Sequence, residues 1–124
     1  MKKQSFFAAI VALAALTTFS FADENHETIE KVMKEGMKGD ASPLALVLDG
    51  KASDDDAKSL AALILTMKGT KAPVGEQADY DTKVTELIAA IEAVGGGEKG
   101  EASIARLKKA SNCKACHSSH RPKD

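Results

Sequence analysis

The stretch Asp79-Tyr80-Asp81-Thr82-Lys83-Val84-Thr85-Glu86-Leu87-Ile88-Ala89-Ala90-Ile91-Glu92-Ala93-Val94 decides the fold class. Its apolar residues Tyr80, Val84, Leu87, Ile88, Ile91 and Val94 recur three and four positions apart, the repeat of one face of an α-helix. A strand would alternate at every second residue, and this run does not. Gly95-Gly96-Gly97 then stops the helix.

Working outward, the same grammar repeats. Upstream, Ser53 reads as an N-cap followed by Asp54, Asp55 and Asp56, whose charges suit a helix N-terminus. The stripe behind it is Ala57, Leu60, Leu63, Ile64 and Met67, ended by Gly69 and a polar loop with Pro73 and Gly75. Further back, residues 23–38 place His26, Ile29, Met33 and Met37 on one helix face, weakened at its end by Gly36 and Gly39. Ser42-Pro43, a cap followed by proline at the first helical position, opens a short apolar turn from Leu44 to Leu48, closed by Asp49-Gly50. Downstream, a last helix starts between Glu98 and Ala102, passes through Ile104, Leu107 and Ala110 into Cys113 and His117, and is ended by Pro122. Strand-like alternation and repeats are absent. Four amphipathic segments with short connections predict an all-α chain, an antiparallel four-helix bundle whose stripes form the core.

The N-terminus reads as an export signal. Met1-Lys2-Lys3 is basic, Phe6 to Leu16 is apolar throughout, and Ser20-Phe21-Ala22 offers small residues where a signal peptidase reads. Cleavage is expected after Ala22, making residues 1–22 a signal peptide and residues 23–124 a single domain. The other reading, a retained anchor, asks for a longer apolar core than this one. No later segment is apolar enough to enter a membrane, so the mature chain is expected in the periplasm or an equivalent exported location. Removing the leader takes away Lys2 and Lys3, moving the formal charge from −1 to −3. That balance gives no reason to expect nucleic acid as a partner. All four phenylalanines go as well, leaving Tyr80 as the one large aromatic in a core of aliphatic residues.

Cys113-Lys114-Ala115-Cys116-His117 carries the chemistry. C-x-x-C-H is the attachment sequence of a c-type haem. Two thiols one helical turn apart can add across the two vinyl groups of the porphyrin, and the adjacent imidazole is then held beneath the iron as proximal ligand. Export fits, because such attachment takes place outside the cytoplasmic membrane. The competing readings are a disulfide, a redox-active dithiol, or a metal site using Cys113, Cys116, His117 and His120. The last is awkward, since adjacent Cys116 and His117 make poor partners for one tetrahedral ion. One haem c per chain is expected.

Only seven residues follow His117, so a sixth iron ligand is expected from upstream. His120 lies one turn along the same helix and is set aside on that ground. The candidates are Met33, Met37, Met67 and His26, and a methionine on an apolar stripe also serves as ordinary core filler. Met/His ligation would favour electron transfer, and an open face would admit NO or CO. The last helix is basic, with Lys108, Lys109, Lys114, Arg121 and Lys123. It could pair with haem propionates, steer an acidic redox partner, or be a solvated face. Paired catalytic carboxylates, a Ser/His/Asp set and a phosphate loop are all missing, so the chain is not expected to be an enzyme.

With the haem motif on the last of four helices, the chain resembles the class II c-type cytochromes, the cytochrome c′ group and its low-spin relatives. The resemblance spans residues 23–124 in helix order as well as motif, and Arg121 matches a basic residue usual four positions after the haem histidine. Val32-Met33-Lys34-Glu35, then an apolar segment and Asp49-Gly50-Lys51, look like the first helix and turn of the low-spin members. The resemblance implies that Met33 is the distal iron ligand opposite His117, and that the protein carries single electrons between redox protein partners. The alternative within the same family is a five-coordinate, NO- or CO-binding protein. Relatives are often homodimers. The chain departs from the family in the glycines and proline that interrupt its first helix, and in His120, where an aromatic residue is common.

Overall fold

The computed structural model of the protein describes residues 21–123. The expected signal peptide lies outside them except for Phe21 and Ala22, and so does the expectation that its apolar core stays apart from the bundle. The described residues are helical with connecting turns and loops, and contain no strand. The elements are α1 (Phe21–Val32), running directly into a π-helical turn (Met33–Met37), then α2 (Pro43–Leu48), α3 (Asp54–Leu65), α4 (Gln77–Gly95), α5 (Glu101–Ala110) and α6 (Cys113–His120).

Local chemistry sets these boundaries. Ser42 Oγ accepts from the Ala45 amide, and Pro43 takes the first helical position of α2. At α3 the Ser53 hydroxyl accepts from the Asp56 amide at 3.1 Å while the Asp56 carboxylate accepts from the Ser53 amide at 3.1 Å, a reciprocal cap. The α-helix ends at Leu65, earlier than Gly69, and tight turns through Thr66, Met67 and Lys68 carry the chain onward. Met67 is buried all the same.

The fourth segment is not one helix. It breaks at Ser111-Asn112, where the Ser111 hydroxyl donates back to the Leu107 carbonyl at 2.7 Å and Asn112 Oδ1 accepts from the Ala115 amide at 3.1 Å. Short polar side chains that compete for the backbone end one helix and cap the next. Cys113 thereby becomes the first residue of its own helix.

The predicted stripe of α4 is buried in full: Tyr80, Val84, Leu87, Ile88, Ile91 and Val94, with Ala90 beside them. It packs against Ala57, Leu60 and Ile64 of α3 and Leu107 of α5. Ile64, Ile91 and Leu107 are completely enclosed. Burial of each such side chain contributes about 1.5–3 kcal/mol. Contacts at the ends give the directions. Gly95, at the end of α4, lies against Ala57 and Ala61 near the start of α3, whereas the Thr70 and Tyr80 hydroxyls meet at 2.7 Å at the other end. Arg106 pairs with Glu86 at 2.7 Å and His120 with Asp79 at 2.7 Å, so α5 and α6 run back along α4. Asn25 bonds both the amide and the carbonyl of Lys71, while Gly36 packs on Leu60 and Leu63, so α1 runs opposite to α3. Among the described residues no helix is long and apolar enough to cross a membrane.

Candidate functional site

A cleft of about 510 Å³ opens where the first and last helical segments approach the start of α4. His26, Ile29, Met33 and Met37 reach it from α1 and the π-helical turn, and Cys113, Cys116, His117 and His120 from α6. Met67, Pro73 and Tyr80 complete its apolar lining, and Lys34, Lys38 and Arg121 stand on its border. The volume lies within the range of cofactor sites. Every residue singled out in the sequence for ligation lines this one cleft, although about 80 positions separate Met33 from Cys113.

The helix that carries the motif presents it in register. Cys113 and Cys116 are three apart and so lie on one face of α6, with His117 next to the second. Cys113 is exposed, Cys116 and His117 are half-buried, and the two thiols are free. Burial pushes the Cys116 thiol up from its usual pKa; Lys83 opposes that, and the charges of Asp79 and Cys113 add to it. Burial thus favours the neutral thiol over the thiolate at this position.

The candidates for a second axial ligand differ in setting. Met33 and Met37 are half-buried on the π-helical turn, and Met67 is only 3 % exposed. His26 is exposed and stands 3.9 Å from Glu30, its neighbour one turn on. The metal reading with four protein ligands loses its fourth member. His120 Nδ1 faces the Val74 carbonyl at 3.0 Å and Nε2 faces Asp79 Oδ2 at 2.7 Å, so neither nitrogen is free to ligate. Among the described residues no group of three or more His, Cys, Asp or Glu side chains is arranged around a metal position.

Sequence reasoning missed the part played by His120, Asp79 and Gly75. Asp79 reads locally as a charge in the first turn of a helix, and Gly75 as a loop residue; their partner lies more than 40 positions away. The cue available in the sequence was that a histidine stands where the family the sequence resembles commonly has an aromatic residue. A ring at that position is expected to pack, and this one packs on Tyr80, 5.5 Å between centroids at 78°.

The donor set suits a covalently held haem: two free thiols one helical turn apart, an imidazole beside them, thioethers from a second element and aliphatic walls. No family model, curated protein or solved structure matches this chain.

Proposed function

We propose that the protein is an exported mono-haem c-type cytochrome of the class II kind, carrying single electrons between redox protein partners. In this reading α1 with its π-helical turn, α3, α4 and the α5–α6 segment are the four members of an antiparallel bundle. Cys113 and Cys116 hold haem c as thioethers, His117 is the proximal iron ligand and Met33 the distal one. The observation that carries the proposal is the single cleft that gathers Cys113, Cys116 and His117 with Met33.

When bound, haem supplies a one-electron iron couple whose potential depends on its axial ligands and on burial. The residues of the cleft do the rest. Ile29, Met67 and Tyr80 exclude water and lower the local dielectric, which favours the state of lower charge. Cys113, exposed at the start of α6, leaves the side nearest it open to solvent, where a partner can approach. Lys34, Lys38 and Arg121 supply donors for propionates or for a partner's carboxylates. Met33 would be the residue that keeps outside ligands from a bound haem iron.

The optical spectrum of the reduced protein with and without CO tests this reading. A low-spin spectrum indifferent to CO is expected in the wild type, and Met33→Ala should become high-spin and bind CO. If Met37→Ala has that effect instead, the ligand is Met37 and the electron carrier stands. A wild type that is already high-spin and binds CO is a five-coordinate gas-binding protein.

A further inference from the structure

The haem motif leaves one buried histidine over. His120 lies three residues beyond His117, is 3 % exposed, and is the only buried residue of α6. Both of its hydrogen-bond partners, the Val74 carbonyl and the Asp79 carboxylate, are acceptors. The two ring nitrogens thus face two oxygens, and the bond to the Asp79 carboxylate is charge-assisted. Asp79 also accepts from Lys83 at 2.7 Å, so its carboxylate is shared between His120 and Lys83. Gly75, at φ +84°, lets the loop close over this ring: a Cβ there would stand 2.5 Å from the Ser119 carbonyl oxygen and 2.9 Å from His120 Nδ1.

We propose that His120 is a positioning residue, clamped by Asp79 and Val74 so that the end of α6 is fixed to the start of α4 and His117 enters the cleft at a set angle and depth. Asn112 caps the helix at one end and His120 pins it at the other, with His117 between these two anchors. The inference rests on the cytochrome reading. It adds that the potential and ligand field of the iron depend on a side chain that touches neither iron nor porphyrin.

The test compares the exported protein with His120→Phe, Asp79→Asn, His120→Asn and the surface control Lys58→Ala, exposed on α3 and outside the cleft. Two quantities are read: hydrogen–deuterium exchange across Cys113–Arg121, and the midpoint potential with the ligand-field spectrum. Loss of a charge-assisted hydrogen bond should speed exchange in α6 by about tenfold or more in His120→Phe and Asp79→Asn. Protection of Val84–Val94 should not change, and the potential should shift in both variants. His120→Asn, whose amide nitrogen can take the place of Nδ1 toward Val74, should restore part of each effect; Lys58→Ala should move neither. Should His120→Phe fail to mature, Asp79→Asn decides, since it keeps the shape of the side chain, with Lys83→Ala as the control for the ion pair lost with it. Unchanged exchange overturns the clamp. Faster exchange with an unmoved potential and spectrum shows a purely structural contact and overturns the positioning role. A wild type without haem absorption is a different failure: it overturns the cytochrome reading, and the positioning role falls with it.

Discussion

At Cys116 burial and chemistry pull in the same direction. The half-buried thiol is held neutral, while Cys113, one turn earlier, is open to solvent. A chain made without haem should therefore react with iodoacetamide first at Cys113 and several-fold more slowly at Cys116, as mass spectrometry of the peptides would record. On the cytochrome reading the exported protein should react at neither, both sulfurs then being thioethers. Equal rates at the two cysteines would show that α6 does not sit against α4 as described. Elsewhere single residues act through caps: Ser53→Ala removes one arm of the reciprocal cap on α3 and should cost about 1 kcal/mol in denaturant unfolding. A loss under a few tenths would mean the three following aspartates suffice.

At the scale of elements, two glycines separate conformation from contact. Gly69 and Gly75 both hold positive φ, but a side chain at Gly69 would meet open space and one at Gly75 would strike the Ser119 carbonyl and His120. Gly69→Ala should lose only the left-handed penalty, about 1–2 kcal/mol, and Gly75→Ala clearly more, with the excess seen as faster exchange in α6. Equal losses would mean that the loop yields to the added methyl. These elements were unequally legible in the sequence. The stripe of α4 and the cap of α3 are local patterns, and both stand where the residues put them. The break at Ser111-Asn112 was legible in principle, since serine and asparagine in mid-helix compete for the backbone, but the strong stripe on either side hid it. The π-helical turn has no comparable cue. Gly36 packs with its α-carbon close to Leu60 and Leu63, so that a Cβ would lie 3.0–3.1 Å from their methyl carbons, a long-range fit that α1 alone does not announce.

Over the whole molecule, charge is arranged for a broad neutral optimum. Glu30 and Glu86 are held below the usual carboxylate range by Lys34 and Arg106, and Asp54, Asp56 and Asp79 by Lys99, Ser53 and Lys83. A carboxyl depressed in the folded state stabilises it above the unfolded pKa and loses that contribution as the pH falls through the folded value. Stability should therefore hold near neutrality and decline as the pH drops below about 4.5. Burial raises Tyr80 and Cys116, which reverses the sign: their contribution is complete below the unfolded values and is lost as the pH rises through 9.0 and beyond. A thioether at Cys116 cannot titrate, so the haem-bearing protein should lose less stability between pH 9 and 10 than the same chain without haem, a comparison that thermal unfolding across pH makes. An equal loss in both forms would assign the alkaline limb to Tyr80 alone.

On the same scale, the haem reading of Cys113, Cys116 and His117 rests on their spacing and that of Met33 on resemblance, whereas the hydrogen bonds that hold His120 span too many residues for any local pattern to reveal. The account stands on haem being bound to this cleft, and intact mass in denaturing solvent measures that directly. Exported protein from cells with haem-attachment machinery should be heavier than its polypeptide by one haem, and Cys113→Ala and Cys116→Ala should each weaken or abolish the addition. An exported, correctly cleaved chain whose mass is that of the polypeptide alone would contradict the account at its centre.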